Sequence, residues 1–256
     1  MRKMLVLAVL LSALMARADN SVLPVEVRPG VHLPVHYMRH DQGVVKGVAV
    51  LMPGGGGGLT LGALGEPENQ NFLIRSRGLF FEAGYDVVSV GNPADVPTLP
   101  PRYRSSQQHV GDMETVVNFI KTRTKMPIWL IGTSRGTTSG AASAVKFGNQ
   151  LLAGLVLSSS VSTGKNGGAV QGENLDEIKI PTLVVHHEND GCNTTPASGA
   201  KSIFSELKQA PIKKLMIQSG GTATGAACGP FHFHGYEGIE AQTVRAMTDW
   251  MANPSP

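Results

Sequence analysis

Apolar and polar positions along this 256-residue chain alternate between two periods. Short apolar runs rich in Val, Ile and Leu recur, and between them lie longer stretches with apolar residues every three or four positions. The runs predict strands at 44–52, 85–90, within 127–133, at 151–157, 178–185 and 213–217. Ahead of them, 23–27 and 31–37 flank the turn signal Arg28-Pro29-Gly30 and predict an antiparallel hairpin. Helices are predicted at 69–83, from a Ser105 or Ser106 cap through about residue 123, at 136–147, at 197–208 and at about 237–251. In the second of these, Val110, Met113, Val116, Val117 and Ile120 form one stripe. The Pro-rich piece 93–104 is expected to be loop. Strands alternating with helices predict the α/β class, a mostly parallel central sheet flanked by helices.

One junction stands out. The strand from Pro127 runs into Gly132-Thr133-Ser134-Arg135-Gly136 and then into a helix rich in Ala, Ser and Gly. The pattern G-x-S-x-G places a Ser on a sharp strand-to-helix turn, where small neighbours let segments approach and the hydroxyl projects outward. The N–H of Arg135, at the start of that helix, is a donor for negative charge developing in acyl transfer. A second donor is expected from the strand ending at Met52, which stops in Pro53 and the five glycines Gly54 to Gly58. The backbone N–H of Gly55 is the candidate, against the alternative of a merely flexible glycine connection.

A leader changes the reading of charge. Met1-Arg2-Lys3, an apolar run to Met15 and Ala16-Arg17-Ala18 match a signal peptide over residues 1–18, with the expected export to a periplasm or the outside. The remaining 238 residues suit a single domain, 19–256, and contain no later apolar run of membrane-spanning length. Removing Arg2, Lys3 and Arg17 leaves 19 basic residues against 19 acidic ones, so the formal net charge of +3 belongs to the leader. Nothing in that balance argues for nucleic acid or an anionic membrane as partner.

Two later loops carry the remaining candidate chemistry. After the strand at 178–185 comes His186-His187-Glu188-Asn189-Asp190-Gly191, where an acid just past a strand end can orient an imidazole. Asp190 is favoured, Glu188 competes, and Asp176 lies before the strand. A loop after the last strand delivers Phe231-His232-Phe233-His234-Gly235-Tyr236, and His234 is favoured over His232 because Gly235 permits a tight turn. His109 is expected to be structural or to line a rim. Cys192 and Cys228 sit in the acid and base loops and in an exported protein can pair; two buried free thiols are the alternative. No metal site is expected, because adjacent residues at a strand end point to opposite faces and force no three-ligand set from His186, His187, His232 and His234. Asn193-Thr194-Thr195 fits an N-glycosylation acceptor.

The chain order Ser134, Asp190, His234, with the Pro53-Gly54-Gly55 turn and His234-Gly235-Tyr236, resembles the α/β-hydrolase superfamily, in particular dienelactone-hydrolase-like and cutinase-like esterases. The resemblance covers nearly the whole chain after the leader. It implies an α/β-hydrolase fold in which Ser134 attacks the acyl carbon, His234 shuttles the proton and Asp190 orients His234. The connection 161–173 is too short to fold as a cap domain, so an open site without a cap is expected. The function read from these residues is cleavage of a carboxylic ester, in a small-molecule or polymer-attached substrate. A peptidase or amidase with the same triad and a non-catalytic binding protein of the same fold are the alternatives. No cofactor is required: the glycines at 54–58 lack a dinucleotide fingerprint, and 132–136 lacks the Lys of a phosphate loop.

Overall fold

The computed structural model describes residues 18–164 and 168–256, so the segment read as a signal peptide, 1–18, lies outside the described residues except for Ala18. Eight strands form one sheet: β1 (Ala18–Arg28), β2 (Val31–His40), β3 (Gly47–Met52), β4 (Tyr85–Val90), β5 (Ile128–Thr133), β6 (Gly154–Ser158), β7 (Thr182–His187) and β8 (Lys213–Gln218). Their spatial order is β1-β2-β4-β3-β5-β6-β7-β8. The hairpin β1–β2 is antiparallel and joins the edge of β4 antiparallel, whereas every later pairing is parallel. The fold is therefore α/β with a mostly parallel sheet, as the alternation of periods predicts.

Parallel strands must bury both faces, because their crossover helices cover both. In β3, Val48, Val50 and Met52 enter one apolar cluster while Ala49 and Leu51 enter the other. In β5 the same split puts Ile128 and Leu130 opposite Trp129 and Ile131. The first cluster packs under α3 (Gln107–Lys121), α4 (Gly136–Leu151) and α5 (Ala197–Glu206). The second packs under α1 (Phe72–Arg75), α2 (Arg77–Glu82) and α6 (Glu240–Ala252), where Trp129 meets Trp250 edge-on at 5.8 Å. Ser106 caps α3 by accepting from the His109 N–H.

Several boundaries depart from the sequence reading, among them the start of β3, expected at residue 44 and found at Gly47. The helix predicted at 69–83 is two short helices broken at Ser76, whose N–H bonds back to Phe72 before the chain restarts. The strand predicted from residue 151 begins at Gly154, because α4 runs on through Leu151. The strand predicted at 178–185 is displaced to Thr182–His187, so His186 and His187 belong to the strand rather than to the turn. The Pro-rich piece ends in a single 3-10 turn, Pro101–Ser105. Between β6 and β7, the described residues carry two single-turn 3-10 helices, Val170–Gly172 and Leu175–Glu177, and no cap domain.

Candidate active site

The C-terminal ends of the central parallel strands converge on one cleft, the usual place for ligands in such sheets. Its volume is about 420 Å³, and Ser134, His234 and Gly54 to Gly57 are in its lining. No Lys, Arg, Asp or Glu is among the described residues that line it.

Ser134 leaves β5 with φ of 52°, a left-handed value that costs a non-glycine residue and persists only where its surroundings enforce it. Two hydrogen bonds do so: Ser134 N–H donates to Ser158 O at 3.0 Å, and Thr137 N–H donates to Ser134 O at 3.0 Å. The turn also needs bare backbone around it. A Cβ on Gly136 would collide with Met52 O, and one on Gly54 would lie 2.7 Å from Ser134 Cβ. The first close approach brings the start of α4 against the end of β3, and the second brings the glycine loop against Ser134. Among the described residues the N–H groups of Gly55 and Arg135 have no hydrogen-bond partner. Two free donors thus lie beside the Ser134 turn, one of them at a helix N-terminus.

The acid and base loops meet behind Ser134. Asp190 is buried just past β7, and its Oδ2 accepts from His234 Nδ1 at 3.0 Å. Thr195 Oγ1 donates to the same oxygen at 3.0 Å, His186 Nε2 lies 3.2 Å from it, and Cys192 N–H donates to Oδ1 at 3.0 Å. Burial alone would raise the Asp190 pKa, but the hydrogen bonds from His186 and His234 hold its carboxyl well below the usual carboxylate range. With Nδ1 donating to Asp190, His234 Nε2 is left as the acceptor. Among the described residues no hydrogen bond joins Ser134 Oγ to His234, although both line the cleft.

The His234 loop is itself held from below. His234 lies in the single 3-10 turn Phe233–Gly235, and a Cβ on Gly235 would strike Pro230 O, which is why glycine follows the histidine. Ser159 Oγ donates to His234 O at 2.9 Å, and the wholly buried Tyr236 donates its phenolic O–H to Val185 O at 3.1 Å. Cys192 and Cys228 form a disulfide across 36 residues, joining the acid loop to the loop before His234.

The structure thus brings Ser134, Gly55, Arg135, Asp190 and His234 to one place. It separates the competing candidates from it. Glu188 is exposed, and Asp176 lies in a 3-10 turn before β7. His232 precedes the turn that carries His234. His109 is buried against Ser139 Oγ at 2.9 Å, as a structural reading expects. His187 bonds Gly220 O, accepts from Asn189 N–H and stacks on Phe233. Two partners of Asp190 escape the sequence reading: His186, weighed only as a metal ligand, and Thr195, weighed only as the end of a glycosylation acceptor. A buried hydroxyl five residues after an acid has no sequence signature of its own.

No family model matches the chain, and no curated protein sequence matches it. Solved structures do. A dienelactone hydrolase from Anabaena variabilis is similar over 91% of this chain and 96% of its own, with a TM-score of 0.67 at 13% identity. A cold-adapted esterase from an Arctic intertidal metagenomic library is similar over 92% and 94%, with a TM-score of 0.59 at 17% identity. Est1E from Butyrivibrio proteoclasticus, solved with ferulic acid bound, is similar over 90% and 97%, with a TM-score of 0.62 at 14% identity. Among the described residues no helix is long and apolar enough to cross a membrane. The sheet order, the strand-to-helix turn at Ser134 and these likenesses together show that this chain has the α/β-hydrolase fold.

Proposed function

We propose that the chain is a serine hydrolase that cleaves a carboxylic ester through an acyl-enzyme. The observation that carries this reading is Ser134, strained at φ of 52° beside free backbone donors, in one cleft with a His234 bonded to a buried Asp190. Bound ester draws Ser134 Oγ onto His234 Nε2, a contact that tightens only in a loaded site. Oγ then attacks the carbonyl carbon while Nε2 takes its proton, and Asp190 stabilises the imidazolium. Negative charge on the carbonyl oxygen meets the N–H groups of Gly55 and Arg135. Collapse of the tetrahedral intermediate breaks the C–O bond, and His234 gives its proton to the departing alkoxide. Water, deprotonated by the same imidazole, attacks the acyl-enzyme, releases the acid and returns the proton to Ser134.

The lining of the cleft narrows the substrate. The described lining offers Thr60, Asn69, Gln70 and Asn71 as polar groups and Phe72 as an apolar one, which suits an uncharged ester. With no cap over the β6–β7 connection among the described residues, the cleft admits bulky or polymer-attached esters. Dienelactone hydrolase and esterase neighbours support an ester substrate. The leader read at 1–18 and the Cys192–Cys228 disulfide support work outside the cytoplasm, in a periplasm or beyond.

Mass-spectrometric mapping after exposure to a fluorophosphonate tests the nucleophile. A single adduct on Ser134, absent in Ser134→Ala and formed more slowly in His234→Ala, is the expected result. Properly folded protein that takes no adduct would overturn the hydrolase reading in favour of a binding protein, and turnover of peptides but not esters would move it to an amidase.

A further inference from the structure

Behind the glycine loop lies a cation with no counter-charge. Arg104, on the 3-10 turn Pro101–Ser105, is 1% exposed, and among the described residues no carboxylate pairs with it. Its Nη2 donates to Gly55 O at 3.1 Å and its Nη1 to Ser139 Oγ at 3.1 Å, while its Nε has no partner. Ser139, on α4, lies 2.9 Å from the buried His109 ring. Burial brings the Arg104 pKa down to about 10, which leaves it charged at neutral pH, and pushes His109 down to about 3, which leaves it neutral. An unpaired buried charge is costly, and one that the sequence could have replaced by an apolar residue calls for a reason.

The reason lies in the turn it touches. Gly57 N–H donates to Gly54 O at 3.0 Å, so Gly54 to Gly57 form a β-turn with Gly55 at φ of 59°. In a glycine turn the central peptide, here Gly55–Gly56, is free to flip, since neither residue has a Cβ to prefer one orientation. Arg104 pins its carbonyl inward. In a trans peptide the N–H points opposite to the carbonyl, so Gly56 N–H is held facing away from the guanidinium. Asn92 Nδ2 and Leu99 N–H hold Gly56 O at 2.9 and 2.8 Å, which secures the next peptide as well. The fit is close: a Cβ on Gly57 would lie 2.5 Å from Asn92 Oδ1 and 3.3 Å from Arg104 Nη2.

We infer that Arg104 is a positioning residue for the oxyanion loop: by holding Gly55 O it anchors the residue whose N–H faces the acyl oxygen, and it supplies an uncompensated positive charge that is matched when that oxygen becomes negative. This rests on the proposed acyl-transfer reading. The charge is unpaired in the free enzyme and gains its partner in the tetrahedral intermediate, so its effect falls on kcat rather than on substrate binding. Arg104 acts through the loop and is not a catalytic residue.

The test compares wild type with Arg104→Met and Arg104→Gln on p-nitrophenyl esters, with active sites counted by fluorophosphonate titration and folding checked by circular dichroism and Tm. The expected result is a fall in kcat per titrated Ser134 of about 10²-fold, comparable to removing one oxyanion donor, with KM changed less than about threefold. Arg104→Lys, which keeps the charge and one donor, is expected to recover part of that loss. A purely structural Arg104 would lower Tm and the number of titratable sites but leave kcat per site unchanged, and that outcome overturns the inference. A rise in KM at constant kcat overturns it too. Should both neutral variants fail to fold, Ser139→Ala removes only the hydroxyl that anchors Nη1. A several-fold fall in its kcat at unchanged KM supports the inference, and wild-type kcat overturns it. Wild-type protein that takes no label on Ser134 and hydrolyses no ester would instead strike the hydrolase reading itself.

Discussion

The two walls of the cleft are built by opposite means. On one side, Asp190, His234, Thr195 and His186 meet through their side chains, and a disulfide joins the loops that carry Asp190 and His234. On the other, Gly54 to Gly57 present backbone alone, and the side chains that shape this wall, Arg104 and Asn92, stand behind it. A group that moves protons must be a side chain whose acidity its neighbours can tune. A group that meets charge on a reacting oxygen needs fixed dipoles at close range, which bare backbone supplies best. Changes on the first wall should therefore disturb proton transfer and its pH dependence, and changes on the second should disturb geometry and stability.

The sharpest way to break this comparison is Asp190→Asn. The amide would turn an N–H toward His234 Nδ1 and favour the tautomer whose Nε2 is protonated and cannot accept from Ser134. The expected loss is about 10⁴-fold in kcat with little change in KM, measured on a p-nitrophenyl ester. Because the Asp190 pKa is held low, its charge persists through mildly acidic pH. A loss of only severalfold in Asp190→Asn would mean that another group orients His234.

Next in size is the disulfide. Its loop of 36 residues predicts a stabilisation of about 4 kcal/mol on the chain-entropy model. Replacing both cysteines by Ser should lower Tm by about 10 °C in a domain of this length. If the bond also keeps the acid wall in register, kcat should fall in the variant at temperatures where it remains folded. Unchanged turnover and unchanged Tm together would remove the disulfide from any account of the site.

Legibility in the sequence followed the same division. The strands were readable because buried parallel strands are continuous apolar runs, and β4 appears at 85–90 as predicted. Ser134, Gly55 and Asp190 were readable because each lies just past a strand end marked by glycines or by a turn, and His234 because Gly235 follows it in a tight turn. Boundaries slipped where tertiary contacts decide them: β7 reaches His187 because β8 pairs with it along its whole length. The break at Ser76 could not be read, because residues on both sides suit a helix and both halves bury apolar side chains. Arg104 was invisible for a related reason. In sequence it is one Arg of a Pro-rich loop, and only the fold carries it beneath Gly55.

Behind the glycine wall, His109 provides a test through pH. Burial, aided by the nearby Arg104 charge, lowers its folded pKa to about 3, against an ordinary value of 6.5. Between those values the unfolded chain binds a proton that the folded chain does not, so stability is full above pH 6.5 and declines as pH falls toward 3. At pH 4.5 the decline from this group is about 2–3 kcal/mol. His36, also lowered by burial, shares the window, so the informative quantity is a difference. Denaturant unfolding at pH 7.5 and 4.5 should show a smaller pH-dependent loss in His109→Gln than in wild type. Equal losses would mean that His109 takes up a proton without opening the core behind the loop.

The smallest expected effect sharpens the comparison most finely, because it alters the proton path without touching any group that exchanges a proton. Thr195 Oγ1 donates to Asp190 Oδ2 and lies 3.0 Å from His234 Nδ1, so the hydroxyl shares the carboxylate with the imidazole. Thr195→Val keeps the shape and the main-chain carbonyl that accepts from His186 Nε2, and removes only the hydroxyl. With that donor gone, Asp190 Oδ2 keeps the His234 Nδ1 bond but the ring loses a neighbour that fixes its plane, so kcat/KM should fall by about 10-fold or less. Thr195→Ser should restore it. A kcat/KM in Thr195→Val that matches wild type would show that His186 and the Cys192 N–H suffice to hold Asp190, and that the threonine hydroxyl serves only to satisfy a buried oxygen.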